Sequence, residues 1–107
     1  MTTLKNIDVK EAARIIREQA PFILDVRTTG EYQSGHIVDS ILIPLQDLES
    51  RVRELPQDQG RAIVVYCRSG NRSSTAGDML TRRGFSNVYN VLGGVYSWER
   101  SGEPLVK

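Results

Sequence analysis

The stretch Ala62-Ile63-Val64-Val65-Tyr66, followed by Cys67-Arg68-Ser69-Gly70-Asn71-Arg72-Ser73, decides the fold of this chain. The first segment is apolar and rich in β-branched side chains, which is typical of a strand buried on both faces of a parallel sheet. After the cysteine the loop is polar, and a helical pattern begins near Ser73 and ends near Arg83. The order predicts a strand, a tight loop and a helix, with the cysteine at the point where the strand ends.

The loop has the composition of an anion-binding nest. Gly70 and Asn71 tolerate left-handed backbone angles, so the chain can curl and direct successive N–H groups at a common centre. The N-terminus of the following helix adds positive potential at the same point. A thiolate at Cys67 would be stabilised by this nest and by the charges of Arg68 and Arg72, which predicts a nucleophile. The alternative is a buried structural cysteine, but the polar residues that follow cannot be buried with it.

The loop and three further stretches resemble the rhodanese family of sulfurtransferases. The matching stretches are Leu24-Asp25-Val26-Arg27 with Glu31-Tyr32, then Gly35-His36-Ile37, and finally Asn87-Val88-Tyr89-Asn90-Val91-Leu92-Gly93-Gly94 with Trp98. They extend from about residue 22 to about residue 104. The resemblance implies an α/β domain of three layers, in which a central, mainly parallel five-stranded sheet carries helices on both faces. Where the family usually has a turn of proline, glycine and alanine after Gly-His-Ile, this chain has Val38-Asp39-Ser40.

The resemblance also implies roles for particular residues. Cys67 would carry sulfur as a persulfide, and the loop residues Arg68, Ser69, Gly70, Asn71, Arg72 and Ser73 would bind the substrate. Within the loop, we expect Arg68 to set substrate preference. Arg72 is expected to brace the loop, with its guanidinium turned towards a carboxylate. Asp25 and Arg27 would support the active-site edge as an ion pair, although Arg27 and Glu31 also have the spacing of a local pair.

The reaction that these residues suit is sulfur transfer. A thiolate can attack the outer sulfur of thiosulfate, and sulfite leaves as a stable anion that needs no general acid. The expected donor is thiosulfate or a persulfide, and the expected acceptor is cyanide or a thiol, with a thiol protein such as a thioredoxin as a further candidate. No cofactor is expected. The single histidine and single cysteine cannot complete a soft metal site, and His36 is expected to serve packing and hydrogen bonding at a turn.

The rest of the chain alternates between helical patterns and short apolar runs. Ile7 and Asp8 begin a predicted helix that ends near Gln19, with Asp8 as its N-cap and Glu11 reaching back to it. Strands are predicted at residues 22–24, 41–43 and 88–91, and an amphipathic helix at residues 45–55. A short helical turn or loop is expected at 28–34 and a closing helix at 95–100. Right-handed crossovers between such strands place Asp25 and Cys67 at the same edge of the sheet.

Length and charge limit the possible classes. The chain has 107 residues, which predicts one domain over residues 1–107. Its single cysteine excludes an internal disulfide and a dithiol exchange within the chain. With 14 basic and 13 acidic residues, no global field favours nucleic acid or an acidic membrane. No signal peptide or transmembrane pattern is apparent in the sequence, so a cytoplasmic protein is expected.

Two other functions are compatible with the same fold. The first is a cysteine-dependent phosphatase or an arsenate reductase. Cysteine-dependent phosphatases have five residues between cysteine and arginine, whereas four separate Cys67 from Arg72 here. Phosphatases also need a general acid, and neither Asp58 nor Asp78 has an evident connection to the loop. The second alternative is a docking or regulatory module that keeps the fold without turnover.

Overall fold

The computed structural model describes residues 3–107. Five strands form one sheet: β1 (Lys5–Ile7), β2 (Phe22–Asp25), β3 (Ile41–Leu42), β4 (Ile63–Tyr66) and β5 (Val88–Val91). Their spatial order is β1-β5-β4-β2-β3, and every neighbouring pair is parallel. The expected parallel five-stranded sheet is thus confirmed, and β4 lies at its centre with the strand end that precedes Cys67.

The helices cover both faces of the sheet, which gives three layers. They are α1 (Val9–Gln19), α2 (Thr29–Ser34), α3 (Asn71–Arg82) and α4 (Gly94–Arg100), with two 3₁₀ helices at Leu45–Asp47 and Glu49–Glu54. Side chains alternate along β4: Val65 packs with α3 and the 3₁₀ segment, whereas Val64 and Tyr66 pack with α1 and α4. Burial on both faces explains why the β4 sequence is continuously apolar.

Several local predictions are confirmed. Asp8 caps α1, its carboxylate accepting the backbone N–H of Glu11 at 2.8 Å. The helices α3 and α4 end near residues 83 and 100, as predicted, and Gly84 and Gly102 just beyond them have left-handed φ angles of 104° and 85°. Residues 28–34 form a helical turn, capped by Thr28.

Other predictions are wrong in ways that have physical causes. The Glu11 carboxylate binds Arg14 on the outer face of α1 and does not reach back to the N-cap. Ile7 belongs to β1, which the sequence did not suggest. β1 is short, and its strand character comes from pairing with β5. Helix α3 begins at Asn71 and not near Ser73, because Gly70 takes a φ of 110° and ends the loop earlier.

The amphipathic helix predicted for residues 45–55 is also wrong. This segment forms the two 3₁₀ helices, and Arg51 interrupts the second one with φ −117° and ψ 20°. Leu45 and Leu48 are three residues apart, as are Val52 and Leu55, which is the spacing that brings side chains together in a 3₁₀ helix. The four leucine and valine side chains still face the core, so the burial pattern was right and the helix type was not.

In the described part of the chain, residues 3–107, no helix has the length and apolar character needed to cross a bilayer.

Candidate functional site

Cys67 follows β4 directly, and its side chain is only 1% exposed. Two backbone N–H groups point at its sulfur: Gly70 N lies 3.1 Å and Ser73 N lies 3.4 Å from Sγ. The left-handed Gly70 turns the chain so that the first turn of α3 faces the cysteine. The anion nest expected from the sequence is therefore formed around Sγ, with N–H groups of the loop and of the α3 N-terminus in it.

The first turn of α4 holds the other side of the loop. Val95 N donates to Cys67 O at 2.9 Å, and Tyr96 N donates to Arg68 O at 3.1 Å. These N–H groups are among those that a helix N-terminus leaves without partners in its own helix. Because the carbonyls of Cys67 and Arg68 are bound to α4, the oxygens that would repel a thiolate are held away from it. The approach is close: a Cβ at Gly94 would lie 2.3 Å from Cys67 O.

The electrostatics of the nest favour the thiolate. Burial alone would raise the pKa of the Cys67 thiol. Hydrogen bonds from the Ser73 hydroxyl and from backbone N–H groups of Ser73, Gly70 and Ser69 outweigh burial, so the pKa lies below that of a free cysteine. The loop can thus hold an anionic sulfur in a site that excludes water.

Arg72 does not point into the nest. Its guanidinium binds the carboxylate of Glu31 through two hydrogen bonds, of 2.8 Å and 2.9 Å, which link α3 to α2. This agrees with the expected orientation towards a carboxylate. The same Glu31 closes the cap of α2 by accepting from Thr28 N at 3.0 Å. The Arg72 hydrogen bonds outweigh desolvation and lower the pKa of Glu31 to about 2, and they raise the pKa of Arg72.

Asp25 and Arg27 form a buried ion pair at the end of β2. Arg27 Nη2 lies 2.7 Å from Asp25 Oδ2, and the two side chains are 4% and 0% exposed. A second hydrogen bond joins Arg27 Nη2 to Gly35 O at 2.8 Å, which fixes the segment after α2. Burial alone would lower the pKa of Arg27. The hydrogen bonds and charge of the Asp25 carboxylate outweigh burial, so the pKa of Arg27 is raised above its usual value. The local pair between Arg27 and Glu31 that spacing allowed is wrong, because each residue binds another partner.

Most of the remaining loop side chains lie at the surface. Arg68, Ser69 and Asn71 are exposed, and Ser73 is buried. Within residues 3–107, no ion pair and no side-chain hydrogen bond engages the Arg68 guanidinium. Arg68 therefore presents a cation next to the nest that an anionic ligand can use.

Asn90 belongs to the same cluster, although the sequence analysis did not select it as a site residue. It lies on β5, it is 2% exposed, and its Oδ1 is 2.5 Å from Ser73 Oγ. A signal was present in the sequence: Asn90 takes a position in a short apolar strand where burial on both faces leads one to expect an apolar side chain. A polar residue at such a position requires partners, and the cysteine loop supplies them.

The aromatic and histidine side chains are mostly structural. The ring of His36 stacks on that of Tyr32 at 3.7 Å between centroids, and its Nδ1 is 2.8 Å from Tyr32 O. The backbone of His36 is paired with Val106. The predicted packing role of His36 at a turn is confirmed. Tyr32 also packs, and donates to Ser40 O at 2.7 Å, whereas Tyr96 is 54% exposed beside Arg68.

Comparison with known proteins agrees with this geometry. The family model described as "Rhodanese-like domain" matches residues 8–101. A protein named sulfurtransferase from Allochromatium vinosum is 37% identical over 93 residues, which cover 87% of this chain and 85% of that protein. Thiosulfate sulfurtransferase GlpE of Pseudomonas syringae pv. syringae is 38% identical over 98 residues, covering 92% of this chain and 90% of the relative.

Solved structures agree with the sequence relatives. The crystal structure of a rhodanese-related protein from Thermoplasma volcanium superposes with a TM-score of 0.85 at 34% identity, covering 95% of this chain and 97% of that one. The overall fold, with its parallel sheet and flanking helices, is thus shared with a solved structure described as rhodanese-related. This chain belongs to the rhodanese-like family, whose members include sulfurtransferases.

Proposed function

We propose that this protein is a sulfurtransferase that carries sulfane sulfur as a persulfide on Cys67, with thiosulfate as one competent donor. The observation that supports it best is the convergence of Gly70 N and Ser73 N on Sγ, at 3.1 Å and 3.4 Å. These donors suit an anionic sulfur, whether thiolate or persulfide. The loop has only four residues between Cys67 and Arg72, and the exposed Arg68 beside it is available to an anionic donor.

The reaction needs no group that this site lacks. The Cys67 thiolate attacks the outer sulfur of thiosulfate and forms a new S–S bond. The S–S bond within thiosulfate breaks, and sulfite leaves with the electron pair and without a proton. The persulfide keeps one negative charge, which the same N–H groups stabilise. Cyanide or a thiolate acceptor then attacks the outer sulfur, and the Cys67 thiolate returns.

The other loop residues have supporting roles in this proposal. Arg68 attracts the donor and the departing sulfite. Arg72 braces the loop through Glu31, and the Asp25–Arg27 pair fixes the neighbouring strand end. Ser69 and Asn71 contribute loop backbone, with side chains in solvent. A single domain over residues 1–107 is sufficient for this chemistry. The free thiol suits a reducing compartment, so we place the reaction in the cytoplasm.

The phosphatase alternative is less well supported. A phosphate-binding loop uses its arginine on the phosphate, whereas Arg72 is engaged by Glu31. The candidate general acids are also remote, because Asp58 accepts Gly60 N in an exposed turn and Asp78 is exposed on α3. A docking module without turnover does not need the low thiol pKa that the nest produces at Cys67.

The test is the intact mass of the protein after incubation with thiosulfate, before and after cyanide. We expect a gain of one sulfur, about 32 Da, that cyanide removes and that is absent in Cys67→Ser. A persulfide donor in a parallel sample separates the mechanism from the choice of donor, and a thioredoxin in place of cyanide tests a protein acceptor. A protein that gains no sulfur from either donor is not a sulfurtransferase, and the docking module would then be favoured.

A further inference from the structure

Asn90, on β5, connects the cysteine loop to β1. Its Oδ1 is 2.5 Å from Ser73 Oγ, and Ser73 Oγ is in turn 3.4 Å from Cys67 Sγ. On its other side, Asn90 Nδ2 lies 3.0 Å from Asn6 Oδ1 and 3.5 Å from Gly70 O. The side chain is 2% exposed, so these groups have to satisfy it without water.

Each hydrogen in the hydrogen-bond network of Asn90 and Ser73 can be assigned to one acceptor. Gly70 O only accepts, so the amide nitrogen of Asn90 faces it and the amide oxygen faces Ser73. That oxygen also only accepts, so the short contact uses the single hydroxyl hydrogen of Ser73. The same hydrogen cannot serve Sγ at the same time. While Cys67 is a thiol, its S–H can donate to the free lone pair of Ser73 Oγ. Each polar group of this network then has a hydrogen-bond partner.

A thiolate changes the arrangement. It has no hydrogen to donate, and Ser73 Oγ is within reach of it only as a donor, which requires the hydroxyl to leave Asn90 Oδ1. We propose that Asn90 is a positioning residue that competes with Cys67 Sγ for the hydroxyl hydrogen of Ser73, and so stabilises the resting thiol against the thiolate. The exchange is a rotation of the hydroxyl; no proton moves between heavy atoms. This inference rests on the proposed role of Cys67 as the nucleophile.

This competition for the Ser73 hydrogen affects the nucleophilicity of the Cys67 sulfur. The nest alone drives the sulfur towards a strongly stabilised, weakly nucleophilic thiolate, because the intrinsic nucleophilicity of a thiolate falls with its pKa. By competing for one hydrogen bond, Asn90 makes the sulfur more basic, so that a smaller fraction is ionised but each thiolate is the better nucleophile. The charged groups around the loop keep their partners in both arrangements of the hydroxyl: Arg72, which attracts a charged Cys67, stays bound to Glu31, Arg27 stays bound to Asp25, and Arg68 is in solvent.

Asn90→Leu is the discriminating variant. Leucine has a similar size and no acceptor, so it frees the Ser73 hydroxyl for Sγ. Gly70 O retains its hydrogen bond from Ser74 N at 3.0 Å, and Asn6 is exposed and can bind water, so no other buried polar group loses its partner. The thiol pKa is measured from the pH dependence of iodoacetamide alkylation. We expect it to fall by about 0.5 to 1 relative to the unmodified protein, the effect of one gained hydrogen bond.

A double-mutant cycle separates this effect from a general disturbance. In the Ser73→Ala background the hydroxyl is absent, so adding Asn90→Leu should leave the thiol pKa unchanged. Asn6→Ala, which alters only the far side of the Asn90 amide, serves as the matched control and should also cause no shift. The inference is overturned if Asn90→Leu leaves the pKa unchanged or raises it, or if the fall persists without the Ser73 hydroxyl.

A spectroscopic measurement needs no substitution at Asn90 and so remains decisive if the leucine variant does not fold. The ¹³Cγ shift of Asn90 is followed by NMR through the Cys67 titration, and Ser73→Ala should reduce its change by at least half. An equal change in both proteins overturns the inference. Neither experiment requires turnover: a protein that titrates as expected but gains no sulfur mass refutes the proposed function alone, and the reverse result refutes the role of Asn90 alone.

Discussion

At Gly94 the first turn of α4 packs directly against the backbone of the cysteine loop, and Gly94→Ala tests whether α4 holds the loop. A Cβ there would lie 2.3 Å from Cys67 O and 2.7 Å from both C and O of Arg68. All three atoms are backbone, so no flexible side chain can move aside. An ordinary contact at this position requires α4 to retreat by about 1 Å.

The cost has two separable parts. Gly94 has a φ of 52°, and an alanine in the left-handed region costs about 1 kcal/mol wherever it occurs. A retreat of about 1 Å would also lengthen the bonds from Val95 N and Tyr96 N, now 2.9 Å and 3.1 Å, beyond hydrogen-bonding range. Two lost bonds at about 1 kcal/mol each bring the total to about 3 kcal/mol.

Gly102→Ala is the matched control. Gly102 has a φ of 85° at the end of the same helix, and a Cβ there meets nothing within 4 Å, so it isolates the cost of the left-handed backbone. Urea unfolding followed by circular dichroism should find Gly94→Ala less stable than Gly102→Ala by about 2 kcal/mol. The Cys67 thiol pKa should rise only in Gly94→Ala, because only this substitution releases the carbonyls of Cys67 and Arg68 from α4. Equal stabilities and an unchanged pKa would refute the role of α4.

Three further substitutions test the surroundings of the nest. Asp25→Asn leaves the buried Arg27 charge without a partner and should cost about 3 kcal/mol in urea unfolding, part of which Arg27→Met in the same chain restores; full stability in the single variant would contradict this. Glu31→Gln breaks the bidentate pair with Arg72 and should cost about 1 kcal/mol at pH 7. Because the pKa of Glu31 is lowered from 4.5 to about 2, its contribution is complete above about pH 4.5 and is lost as the pH falls to 2, so the stabilities of the two proteins should converge there; a pH-independent difference would exclude the ion pair as its source. Arg68→Ala should raise KM for thiosulfate about tenfold, with a smaller effect in Arg68→Lys, whereas a loss in kcat alone would move Arg68 from binding to the chemical step.

The sequence predicted the centre of this fold better than its periphery. β4 and the loop after it carry strong local signals, because burial on both faces demands apolar residues and a left-handed turn favours glycine. The Asp8 cap is equally local. β1 gives no such signal: its side chains are exposed or half-buried, and it is a strand because β5 offers an edge. Residues 45–55 have an apolar spacing that both helix types share in part, so periodicity could not separate them.

The candidate site was also predictable only in part. Cys67, Gly70 and the loop N–H groups follow from one continuous segment, so their convergence was predictable. The direction of Arg72 towards a carboxylate was expected, but its partner, Glu31, was assigned by spacing to Arg27. Pairing across elements depends on the packing of α2 against α3, which sequence separation does not encode. Asn90 escaped notice because its neighbours on β5 are typical of core strands, and its partners come from the loop and β1.

The environment of the Cys67 sulfur is accordingly set by two helix N-termini and not by its loop alone. The α3 N-terminus directs N–H groups at the sulfur, and the α4 N-terminus binds the carbonyls of Cys67 and Arg68. A loop with the same sequence but without α4 would be free to turn those carbonyls inwards, where they would raise the thiol pKa and cancel the nest. Gly94 permits the close contact that prevents this. The cysteine loop and the Gly93-Gly94 turn, though far apart in the sequence, therefore act as one unit in stabilising an anionic sulfur.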